Sequence, residues 1–252
     1  MRRSIEQLVN QQVLRWTEEQ RVAQRRLVPP DGVSKPVVCI SREFGAQAGE
    51  LAQRVASRLD FDVCDQELVD EVAKQAHVRR QIVESLDERM QSGIRRWVDE
   101  MMEQPRFTPS DYLRNLSQVV LTLGTHGRSV IIGRGAHLIL DPRDTLRVRC
   151  YAPFRWRVEQ IAARHGISIS RAEVLTTRVD GERTEFYRRH FNADVADPSA
   201  FDLMINVSTT SLGARTAMVV DAFEAKFPER DAPPKSGVMF DPRGEERKAD
   251  VG

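Results

Sequence analysis

The sequence predicts an α/β fold, a three-layer parallel sheet of about five strands with helices on both faces, and three observations carry that reading. Short apolar runs, Val37-Val38-Cys39-Ile40 and Ser129-Val130-Ile131-Ile132, suit strands covered on both sides. Segments with apolar residues at helical spacing lie between such runs, and this alternation implies right-handed crossovers and a parallel sheet. At 252 residues and 40% hydrophobic content, the chain can bury one good core with room for one added subdomain.

In order along the chain, residues 1–30 form an N-terminal appendage, a polar helix with a sparse apolar stripe (Ile5, Leu8, Val9, Val13, Trp16) that stops before Pro29-Pro30-Asp31-Gly32. The stripe suits packing on the core or on a second copy of the chain, a homodimer contact, and the sequence does not choose. The core is expected over 31–228. Its first strand is the run at Val37, and a helix follows with Leu51, Val55 and Leu59 at four-residue spacing. Residues 61–64 make a second strand. The stretch 67–124 reads as helical throughout, too long for one crossover, and so predicts a helical insert. Ser129 begins the third strand. Residues 146–151 alternate apolar and basic side chains, as expected of a strand nearer a sheet edge. Pro153 suits a first helical turn. Ser170-Arg171-Ala172-Glu173 reads as a capping box that opens a helix to about His190, within a lid segment at 166–195. Residues 201–207 supply the last strand, and the polar text of 229–252 predicts a disordered tail.

Composition excludes several classes. With 38 basic residues against 37 acidic, the net charge is +1, and only 6% of residues are aromatic, so nucleic acid is not an expected partner. No apolar stretch approaches the roughly 20 residues that span a bilayer, and Glu6, Gln11 and Gln12 stand where a signal peptide needs an apolar run. A cytoplasmic protein without membrane contact is expected. Cys39, Cys64 and Cys150 sit in or beside apolar runs far apart and read as buried thiols. The five histidines show no metal-ligand spacing.

In a doubly wound sheet, ligands gather beyond the carboxyl ends of the strands, near the first strand–helix turn. Here that turn reads Ser41-Arg42-Glu43-Phe44-Gly45-Ala46-Gln47-Ala48-Gly49-Glu50. Its place is that of a phosphate loop, where backbone N–H groups and a helix N-terminus face an anion. Its residues depart from G-x-x-x-x-G-K-[ST]: Ala48 stands where lysine would, and the hydroxyl position falls near Glu50. An ordinary glycine turn is the alternative at this point.

The segments ISREFGAQAGELAQRVASRLDF and CDQELV, then VIIGRGAHLIL, then VDGERTEFYRRHF with FDLMINVSTTSL, resemble in order the cytidylate kinase-like proteins, nucleoside monophosphate kinases related to the P-loop NTPases. The likeness covers about residues 36–226. It implies a kinase fold with a helical acceptor-binding insert and a lid, and ATP-dependent phosphoryl transfer to a nucleoside monophosphate, with ATP and Mg2+ as cofactors. The family's usual turn lacks the Walker lysine too, whereas Gln47 and Ala48 replace small glycines in this chain only. By resemblance, ATP belongs at residues 41–50, and Arg134 would hold the acceptor's phosphate with the two-pronged contact that arginine makes. The aspartate that reads cytosine in the relatives is Gly135 here, so cytosine recognition is not implied. Asp65 matches an acidic position of the acceptor side and equally suits a helix cap. Lid arginines commonly serve the transferring group; Arg183 and Arg188 are the first choices for catalysis, with Arg178 and Arg189 on the acceptor. Arg42 is the nearest cation to replace the missing lysine, and Glu43 or Glu50 would reach magnesium through water. Glu185 and Arg189 have the spacing of a surface ion pair. The competing reading is a kinase-like protein with weak or no catalysis that binds a nucleotide or other anion as a sensor.

Overall fold

The computed structural model describes residues 13–14, 36–86 and 88–228. The expected N-terminal appendage, apart from the helical Val13 and Leu14, and the expected tail lie outside the described residues. Five strands form one parallel sheet: β1 (Val37–Arg42), β2 (Asp62–Cys64), β3 (Ser129–Ile132), β4 (Thr145–Tyr151) and β5 (Leu203–Asn206), in the order β2-β3-β1-β4-β5. β1 is central, with Val38 beside Val130 on one side and Leu146 on the other.

One face of the sheet is covered by α1 (Ala48–Leu59) and α9 (Leu212–Lys226). There Leu51, Val55, Val219 and Phe223 pack with Val38, Ile40 and Val148 in one core. The other face is covered by α2 (Gln66–Lys74), α3 (Ala76–Glu84), α4 (Glu88–Glu103) and α5 (Asp111–His126). These four helices are not a free-standing unit, because their apolar residues share a core with Val37, Cys39 and Ile131 of the sheet. The short α6 (Ala136–Ile139) follows β3, and α7 (Phe154–His165) and the long α8 (Ile169–Phe191) follow β4. Burial in the two cores pushes the thiols of Cys64 and Cys150 up to about 12, which leaves both neutral and unreactive.

Local chemistry sets the helix starts. Asp65, Ser110, Ser168 and Ser211 each accept a backbone N–H three residues on and so cap α2, α5, α8 and α9. The cap of α8 is thus Ser168 and not Ser170, two residues earlier than the capping-box pattern predicts.

β4 also differs from expectation, because it lies inside the sheet between β1 and β5, which with β2 is an edge. Its alternating arginines do not mark a wet edge. Arg147 pairs with Asp202 at 2.8 Å, and Arg149 is buried, donating from Nη1 to Ser41 Oγ at 3.0 Å with its guanidinium over the Phe201 ring. A charge whose donors are occupied can sit in a sheet interior.

Candidate functional site

Chain connections leave β1 toward β3 and β2 on one side and toward β4 and β5 on the other, so a crevice opens at the carboxyl ends of the central strands. Arg42 ends β1 there, Gly133 and Arg134 follow β3, and α8 crosses above. A cleft of about 130 Å³ is lined by Ser41, Arg42, Gln66, Arg134, Arg183 and Tyr187, among others. Three guanidinium groups from three elements therefore meet over one small volume.

Close backbone approach makes this convergence possible. A Cβ at Gly133 would stand 1.9 Å from Arg42 Nη1, and one at Gly135 2.3 Å from the Phe191 ring. Both glycines have positive φ, +80° and +67°, a conformation that side chains disfavour. The place that a side chain at 135 would enter is filled by Phe191.

The cations have few bonded counter-charges, although Glu182 also lines the cleft and Asp180 acts on Arg183 at longer range. Arg134 pairs with Asp70, which also accepts from the Tyr112 hydroxyl at 2.9 Å, and its guanidinium stacks over Phe186. Arg42 donates to Gln66 Oε1 at 3.0 Å, and Arg183 Nη1 donates to the Arg42 carbonyl at 3.1 Å. Among the described residues, neither Arg42, Arg149 nor Arg183 has a carboxylate partner. Burial, and then repulsion by Arg183, pushes Arg42 down to about 10; burial lowers Arg183 as well. Desolvated cations that repel one another favour an anion between them.

The turn at 41–50 is differently disposed. Gln47 precedes α1 at φ +50° without capping it, so the helix keeps free N–H donors in its first turn. The Gln47 side chain instead bridges Gln160, to which it donates at 2.9 Å, and Arg215, from which it accepts at 2.6 Å. Phe44 N–H donates to Asp180 Oδ1 at 2.8 Å, and Arg157 Nη1 donates to Asp180 Oδ2 at 2.5 Å and to the Phe44 carbonyl at 3.0 Å. Glu43 accepts from Ala152 N–H at 3.0 Å and pairs with Arg157 at 3.1 Å; Glu50 pairs with Arg164. Both carboxylates proposed for magnesium are thus engaged by arginines, and no group of three or more metal-ligating side chains occurs among the described residues.

Of the residues singled out by sequence, the structure brings Ser41, Arg42, Arg134 and Arg183 together. Asp65 caps α2 through Leu68 N–H, within the electrostatic reach of Arg42. Arg178, Arg188 and Arg189 are exposed on α8 away from the cleft, Arg178 beside Glu182 and Arg188 bonded to Glu185 at 2.7 Å. Glu185 therefore pairs with Arg188, three residues on, rather than with Arg189. Asp180, Arg183 and Tyr187 recur at three- and four-residue spacing and share the inward face of α8. That spacing was visible in the sequence and singles out Arg183 from the other lid arginines. Arg149, Arg157 and Asp180 carry no local motif, since only tertiary packing brings them to Ser41 and Phe44.

Comparison with known proteins gives the family. The model of the cytidylate kinase-like family matches residues 37–209. The chain belongs to that family. It is 30% identical over 119 residues to a cytidylate kinase of Pyrococcus horikoshii and 31% over 103 residues to one of Thermococcus sibiricus, which covers 47% and 41% of this chain. The matches span 62% and 53% of those two relatives' own lengths. An uncharacterized protein from Eubacterium ventriosum shares the fold, with a TM-score of 0.59 at 19% identity over 76% of this chain and 99% of that one. No helix among the described residues is long and apolar enough to cross a membrane.

Proposed function

We propose that this family member is a kinase that transfers a phosphoryl group from ATP to a nucleoside monophosphate or a similar small phosphorylated acceptor. The observation that carries the reading is the meeting of Arg42, Arg134 and Arg183 at the carboxyl ends of β1 and β3 with one carboxylate, Asp70, among their partners. In the reaction, an acceptor phosphate oxygen attacks the γ-phosphorus, the bond to the β-phosphate oxygen breaks, and ADP leaves. Catalysis of such a transfer is mostly positioning and charge stabilisation. Arg134 and Arg42 would hold the acceptor's phosphate, and Arg183, carried by α8, would sit over the transferring group.

The uncapped first turn of α1 fits the donor's phosphates, as its N–H groups and helix dipole favour an anion. Magnesium would be held chiefly by the nucleotide's own phosphate oxygens, because Glu43 and Glu50 already face arginines. When bound, it would neutralise phosphate charge. The engaged Phe44 N–H and the absent lysine favour a second reading, an anion-binding sensor without turnover.

The test is ADP formation by the purified full chain with Mg-ATP and CMP, UMP, AMP or GMP. Acceptor-dependent ADP is expected, falling about 10²-fold or more in Arg134→Ala. No acceptor-dependent ADP overturns the kinase reading, and saturable nucleotide binding by calorimetry in that case supports the sensor.

A further inference from the structure

We propose that the Asp180 carboxylate is an internal ligand of the loop at 41–50, which a nucleotide's phosphate must displace, so that loop occupancy and the position of α8 are coupled. The inference rests on the reading of that loop as the nucleotide site. Asp180 Oδ1 accepts the Phe44 N–H at 2.8 Å, which is a backbone donor of the turn itself, so an acid from the lid already occupies one of the places open to a phosphate oxygen. The contact is built into the fold. Arg157, buried beneath it, donates to Asp180, to the Phe44 carbonyl and to the Ala152 carbonyl, and pairs with Glu43. One guanidinium thus serves two carboxylates, and Asp180 also lies within the electrostatic reach of Arg183, beside a helix head that favours an anion.

Near this point the lid is also held by the Arg183 bond to the Arg42 carbonyl and by the buried Thr176. Its amino-terminal half joins only a small cluster around Val158, Ile161 and Ala172, and Val174 is 71% exposed. Few buried contacts leave such a segment free to open locally. Arg183 lies three residues beyond Asp180 on the same face, so a phosphate that takes the Phe44 N–H frees the segment that carries this cation. A phosphate brings more charge and more acceptor oxygens than the carboxylate it replaces, which favours the exchange for polyphosphates over monoanions.

The experiment measures ADP affinity by calorimetry, without magnesium, for the full-length wild type, Asp180→Ala and Asp180→Asn, with hydrogen exchange across 176–190. Removal of the competing carboxylate is expected to tighten ADP binding about tenfold in Asp180→Ala, on the scale of one charged hydrogen bond. Asp180→Asn, whose amide oxygen still fits the Phe44 N–H, is expected to gain less, and it decides the matter if Asp180→Ala does not fold. In the wild type, ADP is expected to speed exchange around residue 180. Equal or weaker ADP binding by the variants, or unchanged exchange, overturns the internal ligand and leaves the nucleotide reading intact. Failure of wild type and variants alike to bind ADP overturns both.

Discussion

The arginine cleft and the turn before α1 lie at the same edge of one sheet, yet their polar groups are satisfied in opposite ways. In the cleft, Arg42 and Arg183 contact a glutamine, a carbonyl and an aromatic ring, Asp70 pairs with Arg134, and Glu182 stands on the lining. In the turn, Asp180 and Glu43 meet Arg157, and the backbone of Phe44 is engaged on both its N–H and its carbonyl. The difference teaches that a shared location does not give a shared role. A cluster short of bonded counter-charge suits the anion site proposed above, whereas a cluster that has its counter-charge first stabilises the fold.

Paired substitutions would break this comparison most sharply. Arg157→Met leaves Asp180 and Glu43 beside a buried gap without their cation, and about 3–5 kcal/mol of stability is expected to be lost. Arg42→Met removes a desolvated cation that Arg183 repels, so chemical denaturation is expected to show little loss, while kcat/KM falls about 10²–10³-fold. Large destabilisation by Arg42→Met would show that the cleft is a structural ion cluster like the turn.

The floor of the cleft offers the next test. At Gly135 a methyl group would enter the Phe191 ring in a backbone conformation that suits glycine. Gly135→Ala is expected to lower the free energy of unfolding by about 2–4 kcal/mol, from strain at φ +67° and overpacking together. A melt unchanged from wild type would show that Phe191 yields readily, and that the close packing under Arg134 is incidental.

Much of this molecule was legible in the sequence because the relevant signals are local. The apolar runs at Val37 and Ser129 are buried strands, and Leu51, Val55 and Leu59 line the buried face of α1. Gly133 and Gly135 flank Arg134 in the sequence, but the approach of Arg42 and Phe191 to them is seen only in the fold. What stayed hidden depends on partners remote in the chain. Arg149 reads as an edge residue until Ser41 and Phe201 are placed beside it, and Asp180 reads as a solvated lid acid until it meets Phe44, 136 residues earlier. The cap of α8 was misplaced by two residues because Ser168 and Ser170 are chemically equivalent candidates, and the path of the chain decides between them.

Beneath the cleft, His137 stacks on Tyr187 and lies against Phe201, and its burial sharpens the comparison through pH. Burial first, and then Arg147 and Arg149, push it down to about 3. The unfolded chain takes up that proton near pH 6.5, so below this value the unfolded state binds a proton that the native state refuses. Stability is therefore present above pH 6.5 and lost as pH falls toward 3, by about 2 kcal/mol between pH 7 and pH 5 from this group. Urea unfolding at both values should show that slope reduced by one proton in His137→Gln. An unaltered slope would place the acid sensitivity elsewhere in the molecule.

The smallest expected effect tests the inward and outward faces of α8. Arg183 points to Arg42 and Phe44, whereas Arg178 and Arg188 have side chains 67% and 71% exposed and pair with acids of their own helix. Such surface pairs contribute little to stability, because water and salt screen them. Replacement of Arg178, Arg188 and Arg189 together by alanine is expected to change kcat/KM by less than about threefold and to leave the denaturation midpoint close to that of the wild type, while Arg183→Ala alone falls with the cleft residues. If the triple substitution loses as much activity as Arg183→Ala, α8 must turn about its axis during turnover, and the outward arginines would then belong to the same site as the cleft.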